Sequence, residues 1–294
     1  MEVKEFNDAR TFLNAYEAVL LEKESVSQLV LYSAYHCCQD ETCVEAVFGA
    51  VVEEDEVYLL FSNVIPYNMA LYDVKSEEIL QSVLVLADYF GNNHITIIGI
   101  YARYELCQGF IEQYKKHMNY TFIEKMGMDI MEIKSVNEIK PAEGMHRTAL
   151  PDEAKLVAEW MIEFQLEALT NEMDYEAALQ KASKLIEEGK IFFYEIEEQK
   201  IVTMAIAARK LVHGIAITYI YTPEEYRGKG YAASNIYYLS RALLEQGYEF
   251  CTLFIDKKNP LSNRAYEKVG YKMVEEVYEY KAVTSQSVMK PVTI

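Results

Sequence analysis

Two hydrophobic periods divide this chain. Apolar residues three and four apart predict helices, and short β-branched runs predict strands. In the second half, Pro151 and Asp152 make a helix start, and Leu156, Trp160, Phe164 and Ala168 then share one face. A second helix is predicted over 175–188, ended by Gly189. Residues 191–196 and 201–207, joined by a turn at Glu198 and Gln199, predict an antiparallel pair. Residues 214–218 predict a further strand and 234–244 a helix, followed by a strand over 250–255, a helix over 261–269 and a strand over 271–281.

The first half is less regular. Phe6, Phe12, Leu13, Tyr16, Val19 and Leu20 recur at near-helical spacing and predict one or two helices over 1–30. Residues 28–35 and 43–52 carry no clean period. Glu53-Glu54-Asp55-Glu56 reads as a solvated turn, 57–62 as a strand, 77–90 as a helix and 94–100 as a buried strand. A helix over 105–117 and a strand over 121–132 complete this half. The order strand, helix, strand over 95–132 recurs over 250–281, with Phe110 to Tyr114 and Arg264 to Lys268 at matching places. Pro141 and Gly144 mark a linker over 134–145. The expected domains are therefore 1–133 and 146–283, with a patternless tail over 284–294.

Composition narrows the function. Apolar residues make up 51% of the 294 and aromatics 13%, enough for packed cores. A net charge of −18 opposes binding to nucleic acid and suits a cationic acceptor drawn toward a carboxylate-lined cleft. Five cysteines, an odd number with no C-x-x-C pair, give neither a disulfide framework nor a zinc site and fit a reducing cytosol. No stretch is long and apolar enough to span a bilayer, so a cytoplasmic protein with no membrane partner is expected.

The chemistry centres on Arg227-Gly228-Lys229-Gly230-Tyr231, placed where a predicted strand gives way to a predicted helix. Successive backbone N–H groups at a helix N-terminus form an anion site, and glycines let a phosphate approach the backbone. The P-loop pattern is absent. Gly228 to Ala233 reads as G-x-G-x-x-A, but Thr222 to Arg227 intervene between strand and glycine, which weakens a dinucleotide reading. The stretch resembles motif A of the GNAT superfamily of N-acetyltransferases, Gln/Arg-x-x-Gly-x-Gly/Ala. Here Glu225 to Gly230 reads in that pattern, with Glu225 departing at the first position. Asn259-Pro260-Leu261-Ser262-Asn263 through Tyr266 to Gly270-Tyr271 resembles motif B of the same superfamily.

The resemblance implies a mixed, mostly antiparallel α/β sheet flanked by helices over about 145–283. It also implies transfer of acetyl from acetyl-coenzyme A to an amine by direct attack in a ternary complex. Ile220, Tyr221 and Thr222 would hold the pantetheine arm through their backbone. Arg227, Gly228, Lys229, Gly230, Tyr231, Ala232 and Ala233 would cradle the pyrophosphate, with Asn259 and Asn263 as further polar contacts. Tyr266 would be the general acid for the leaving thiolate. No base stands out among Glu163, Glu167, Glu172, Asp174 and His213, and Cys251 and Cys37-Cys38 read as inert. A non-catalytic acyl-coenzyme A-binding module fits the same motifs. The first half reads either as a degenerate GNAT-like half without a cofactor loop or as an unrelated α/β domain. No metal is expected, and neither the acceptor nor the oligomeric state is written in these residues.

Overall fold

The computed structural model describes residues 1–40, 43, 45–75, 78–169, 172–258 and 260–284, with the backbone alone for 169, 198, 260–263 and 284. The chain divides into two compact units, Met1–Met128 with the stretch from Glu275 on, and Asp129–Val274.

The first unit runs through β1 (Glu2–Phe6), α1 (Ala9–Leu21), α2 (Glu24–Cys37), β2 (Val47–Glu53), β3 (Glu56–Asn63), β4 (Met69–Asp73), α3 (Ile79–Asn92), β5 (Gly99–Ala102) and α4 (Tyr104–Tyr114). Phe6, expected in a helix, instead ends β1 opposite Phe48, and the helix starts at Asp8, whose carboxylate accepts the Thr11 N–H at 2.8 Å. Strands β1 to β4 pair antiparallel and β4 pairs parallel with β5. On the other edge of β5, Ala102 to Gly99 pair antiparallel with Tyr278 to Lys281 of β12 (Lys272–Thr284). Neighbouring residues of a strand face opposite ways, so Phe48 meets Phe12 of α1 and Phe61 meets Phe90 of α3 on the other face.

The second unit takes the last residues of β6 (Tyr120–Ile133), then β7 (Met145–Thr148), α5 (Ala154–Leu169), α6 (Tyr175–Glu187), β8 (Ile191–Ile196), β9 (Lys200–Lys210), β10 (Gly214–Tyr221), α7 (Tyr231–Glu245), β11 (Phe250–Asp256), α8 (Pro260–Val269) and the start of β12. Strands β7 to β10 pair antiparallel, β10 pairs parallel with β11, and β6 neighbours β11. Alternation again sets the layers. Met204 and Ile206 of β9 join Val157 and Met161 of α5, while Ala205 and Ala207 join Ile236, Leu239 and Leu243 of α7. The buried stripe of α5 is Val157, Ala158, Trp160 and Met161. Leu156, Phe164 and Ala168, expected at its centre, are only half-buried margins, because α5 packs on both the sheet and α6.

Both units run the same succession: strand, two helices, three strands, helix, strand, helix, strand. The closing strand of each succession supplies residues to the other unit, β6 from Asp129 and β12 from Glu275. Met131 and Ile133 thus belong to the core that holds Ile215, Leu253 and Ile255.

That exchange gives a test. A chain cut to residues 134–294 deletes two fully buried core residues, each worth about 2–5 kcal/mol, and bares the edge of β11. Differential scanning calorimetry should find a cooperative transition in the full chain and none in the fragment. A sharp, native-like transition in the fragment would contradict the exchange.

Candidate functional site

Strand β10 is irregular. Its register with β9 shifts after Ala216 and again between Thr218 and Tyr221, where Tyr219 takes φ of 47°. This bulge turns the strand's end away from regular pairing. On the other side β10 and β11 are in register for three residues, Gly214 to Ala216 opposite Phe250 to Thr252. Both strands then continue, to Tyr221 and Asp256, without pairing each other. The result is a fork with backbone N–H and C=O groups along its limbs. The shielded hydroxyls of Thr218 and Thr252, at and just beyond the last rung, have no hydrogen-bond partner. Each such group costs about 1–3 kcal/mol.

The tip of β10 is held in place. Thr203 Oγ1 donates to Tyr221 O at 2.7 Å and lies 2.9 Å from Thr222 Oγ1. Pro223 then leads into a 3-10 turn over Glu224–Tyr226. Gly228 and Gly230 follow with φ of 77° and 82°, the left-handed region that L side chains avoid. A Cβ at either glycine would touch nothing within 4 Å, so glycine serves conformation and approach here, not packing. Gly230 caps α7, whose first internal bond is Ser234 N–H to Gly230 O at 3.0 Å. The N–H groups of Tyr231, Ala232 and Ala233 precede it and form the open end of the helix. Lys229 and Lys200 both lie over the Tyr226 ring and add positive charge beside that end. The structure thus brings Tyr221, Thr222 and residues 227–233 together. It also improves the reading of the motif: Arg227-Gly228-Lys229-Gly230-Tyr231-Ala232 satisfies Arg-x-x-Gly-x-Ala at every position and puts its central glycine at the helix cap.

Tyr266 lies on α8 within the core that holds Leu253, Ile255 and Tyr271, and burial raises its phenol well above the ordinary value. A phenol of ordinary pKa, about 10, is already protonated at neutral pH, the state a general acid needs, and burial makes it a weaker donor. Asn259 lies outside the described residues, and Asn263 is described only as backbone within α8. Glu163 and Glu167 of α5 line a cleft of about 420 Å³ with Trp160, Tyr221, Glu224 and Glu225. The Tyr221 hydroxyl donates to Glu167 Oε1 at 3.0 Å, and burial with its carboxylate neighbours raises its pKa. Asp174 is elsewhere, capping α6 through the Ala177 N–H, and exposed His213 sits at the far end of β10. Among the described residues no group of three or more His, Cys, Asp or Glu could hold a metal ion.

His146 of β7 carried no signal in the sequence. Its ring stacks between Phe192 and Tyr238, and its Nδ1 donates to Asn235 Oδ1 of α7 at 2.7 Å. The tautomer is fixed because Asn235 Nδ2 donates to Phe192 O. Ser234, one residue earlier, accepts the Ala142 N–H at 2.8 Å. The first turn of α7 is therefore tied to β7, β8 and the segment before β7.

The first unit has a corresponding parallel pair. Strands β4 and β5 are in register at Met69 opposite Ile100 and Ala70 opposite Tyr101. Beyond these rungs Arg103 Nε meets Asp73 Oδ1 at 3.3 Å, joining the two strand ends. Residues 74–78, leading to α3, contain no glycine.

Comparisons with known proteins agree with this geometry. Residues 154–271 match the acetyltransferase (GNAT) family model. No curated protein matches the sequence. Among solved structures, a GNAT-family acetyltransferase from Colwellia psychrerythraea aligns at TM-score 0.55 and 10% identity, over 97% of this chain and 100% of its own. A Drosophila protein aligns at 0.57 and 11% identity, over 96% and 98%. A GCN5-related N-acetyltransferase from Sphaerobacter thermophilus aligns at 0.54 and 13%, over 81% and 80%. At these identities the likeness is one of fold.

Burial lowers the His146 pKa, so its stabilising contribution is present above the unfolded value of about 6.5 and is lost as pH falls below it. Thermal melts from pH 7.5 to 5 should show a steeper loss of stability in the wild type than in His146→Phe. Parallel curves would contradict this role.

Proposed function

We propose, from the match of residues 154–271 to the acetyltransferase (GNAT) family model, that the protein moves an acetyl group from acetyl-coenzyme A to a primary amine of a small molecule or peptide. The observation that carries this reading is the fork between β10 and β11, opening beside the cap of α7. An extended pantetheine arm would lie along the side of β10 at Ile220, Tyr221 and Thr222 that β11 does not pair with, as a strand would. The N–H groups of residues 228–233 then meet the pyrophosphate.

Bound acetyl-coenzyme A supplies the activated thioester. The chain's own residues do the rest. A backbone N–H of the β10 tip is available to the thioester carbonyl, where negative charge grows during attack. Tyr266, protonated at neutral pH as any phenol is, donates to the departing sulfur. The amine enters from the cleft of Trp160, Glu163, Glu167 and Tyr221, whose carboxylates attract an ammonium and stand ready to relay its proton. The free cysteines and the absence, among the described helices, of one long and apolar enough to cross a membrane support work in the cytoplasm.

We read the first unit as a degenerate repeat of the same fold that holds no coenzyme. The Arg103–Asp73 ion pair fills the place of the fork, and the glycine loop is missing.

Calorimetric titration of acetyl-coenzyme A should therefore give one site per chain, lost in Gly228→Glu. That change strains the left-handed backbone and sets a carboxylate against the phosphates. No binding by the folded wild type, or two sites per chain, would refute the assignment. In assays of thiol release with an amine panel, Tyr266→Phe should bind acetyl-coenzyme A normally. Its kcat should fall by about 10²–10⁴, the usual worth of a general acid. An unchanged kcat would remove Tyr266 from the mechanism.

A further inference from the structure

We propose that Glu167 is the seat for the acceptor's cationic group, and that Arg227 occupies this seat until the coenzyme's phosphates draw the guanidinium away. The proposal rests on the transferase reading above and identifies the acceptor's bound group as a protonated amine.

The chain itself provides the stand-in ligand. Arg227 Nη2 meets Glu167 Oε2 at 2.5 Å, and its guanidinium lies 5.9 Å from the centre of the Tyr221 ring. The other oxygen of Glu167 accepts the Tyr221 hydroxyl at 3.0 Å. A carboxylate and an aromatic face are therefore already shaped around a cation at the rim of the cleft. The cleft continues past them to Trp160, Leu166 and Glu163. Its lining includes four carboxylates, Glu163, Glu167, Glu224 and Glu225, and no cationic side chain. An anionic acceptor is repelled there, and an ammonium is drawn to the carboxylates beside the Tyr221 ring.

Arg227 is also the residue before Gly228, so the same guanidinium is one residue from the anion cradle. Its Nε is held by Thr222 O at 2.8 Å, which fixes the pivot while the terminal nitrogens can exchange partners. The ion pair is about half exposed, with 46% and 48% of the two side chains accessible. Such a pair is weak and readily traded for phosphate oxygens. When it is traded, Glu167 keeps the Tyr221 hydroxyl, loses its counter-ion, and is left beside Glu163 as an open cation seat. Coenzyme binding and acceptor binding are thereby coupled through one arginine.

The test is a double-mutant cycle read by calorimetry with coenzyme A, on the full chain. Glu167→Gln should bind coenzyme A about threefold more tightly, the factor an exposed ion pair is worth. Arg227→Gln should bind it more weakly. In the Arg227→Gln background, Glu167→Gln should change nothing further. An unchanged or weakened affinity in Glu167→Gln overturns the hand-over. The second arm titrates 1,5-diaminopentane without coenzyme. It should bind Arg227→Gln, where Glu167 has no internal cation, at least fivefold more tightly than it binds the wild type, and the gain should vanish in the double variant. Equal diamine binding by the three proteins overturns the seat. If no protein binds coenzyme A, the transferase reading fails, while the diamine arm still decides the seat on its own.

Discussion

The second unit depends on the parting of two parallel strands. Strands β10 and β11 share three rungs and then stop pairing with each other, and the buried hydroxyls of Thr218 and Thr252 beside them are without partners. A sheet does not leave such groups bare without cause, since each buried orphan costs as much as a lost hydrogen bond. The surroundings hold the fork open. The Tyr219 bulge, the Thr203 clasp on Tyr221 and the ties from β7 and β8 to the first turn of α7 keep the tip of β10 and the α7 cap in place. The N-terminal end of α7 and the side of β10 that β11 leaves unpaired thus lie together.

The two units show what such a fork requires. They share an order of elements, an antiparallel run and one parallel pair. In the first unit an arginine and an aspartate join the strand ends after two rungs, although burial raises the Asp73 pKa. In the second unit the ends stay apart and a glycine loop follows. One succession of elements can therefore build either a closed pair or an open one, decided by a few residues at the strand ends. The exchange of the closing strands makes the cores of both units depend on one continuous chain.

Much of this was legible in the sequence, for identifiable reasons. Gly228 and Gly230 were visible because positive φ next to a helix start leaves a compositional mark, and the elements from α5 to β12 have clear periods. Two frames of the motif overlap in the sequence, from Glu225 with a departure at its first position and from Arg227 with none, and the cap at Gly230 agrees with the second. Strand β4 was missed because Met69-Ala70-Leu71-Tyr72 is buried on both faces and shows no alternation. Strand β7 was missed because Met145-His146-Arg147-Thr148 is a short edge strand inside a polar stretch. His146 and the Glu167–Arg227 pair are contacts between residues 60 to 89 positions apart, and local pattern carries no information on such contacts.

The central claim is that the coenzyme lies in the fork of the second unit. Amide hydrogen exchange of the full chain, with and without acetyl-coenzyme A, tests it most directly. Protection is expected over 217–222 and 228–234, with no change over 69–75 or 99–103. Unchanged exchange at the β10 tip and the α7 cap, or protection confined to β4 and β5, would contradict it.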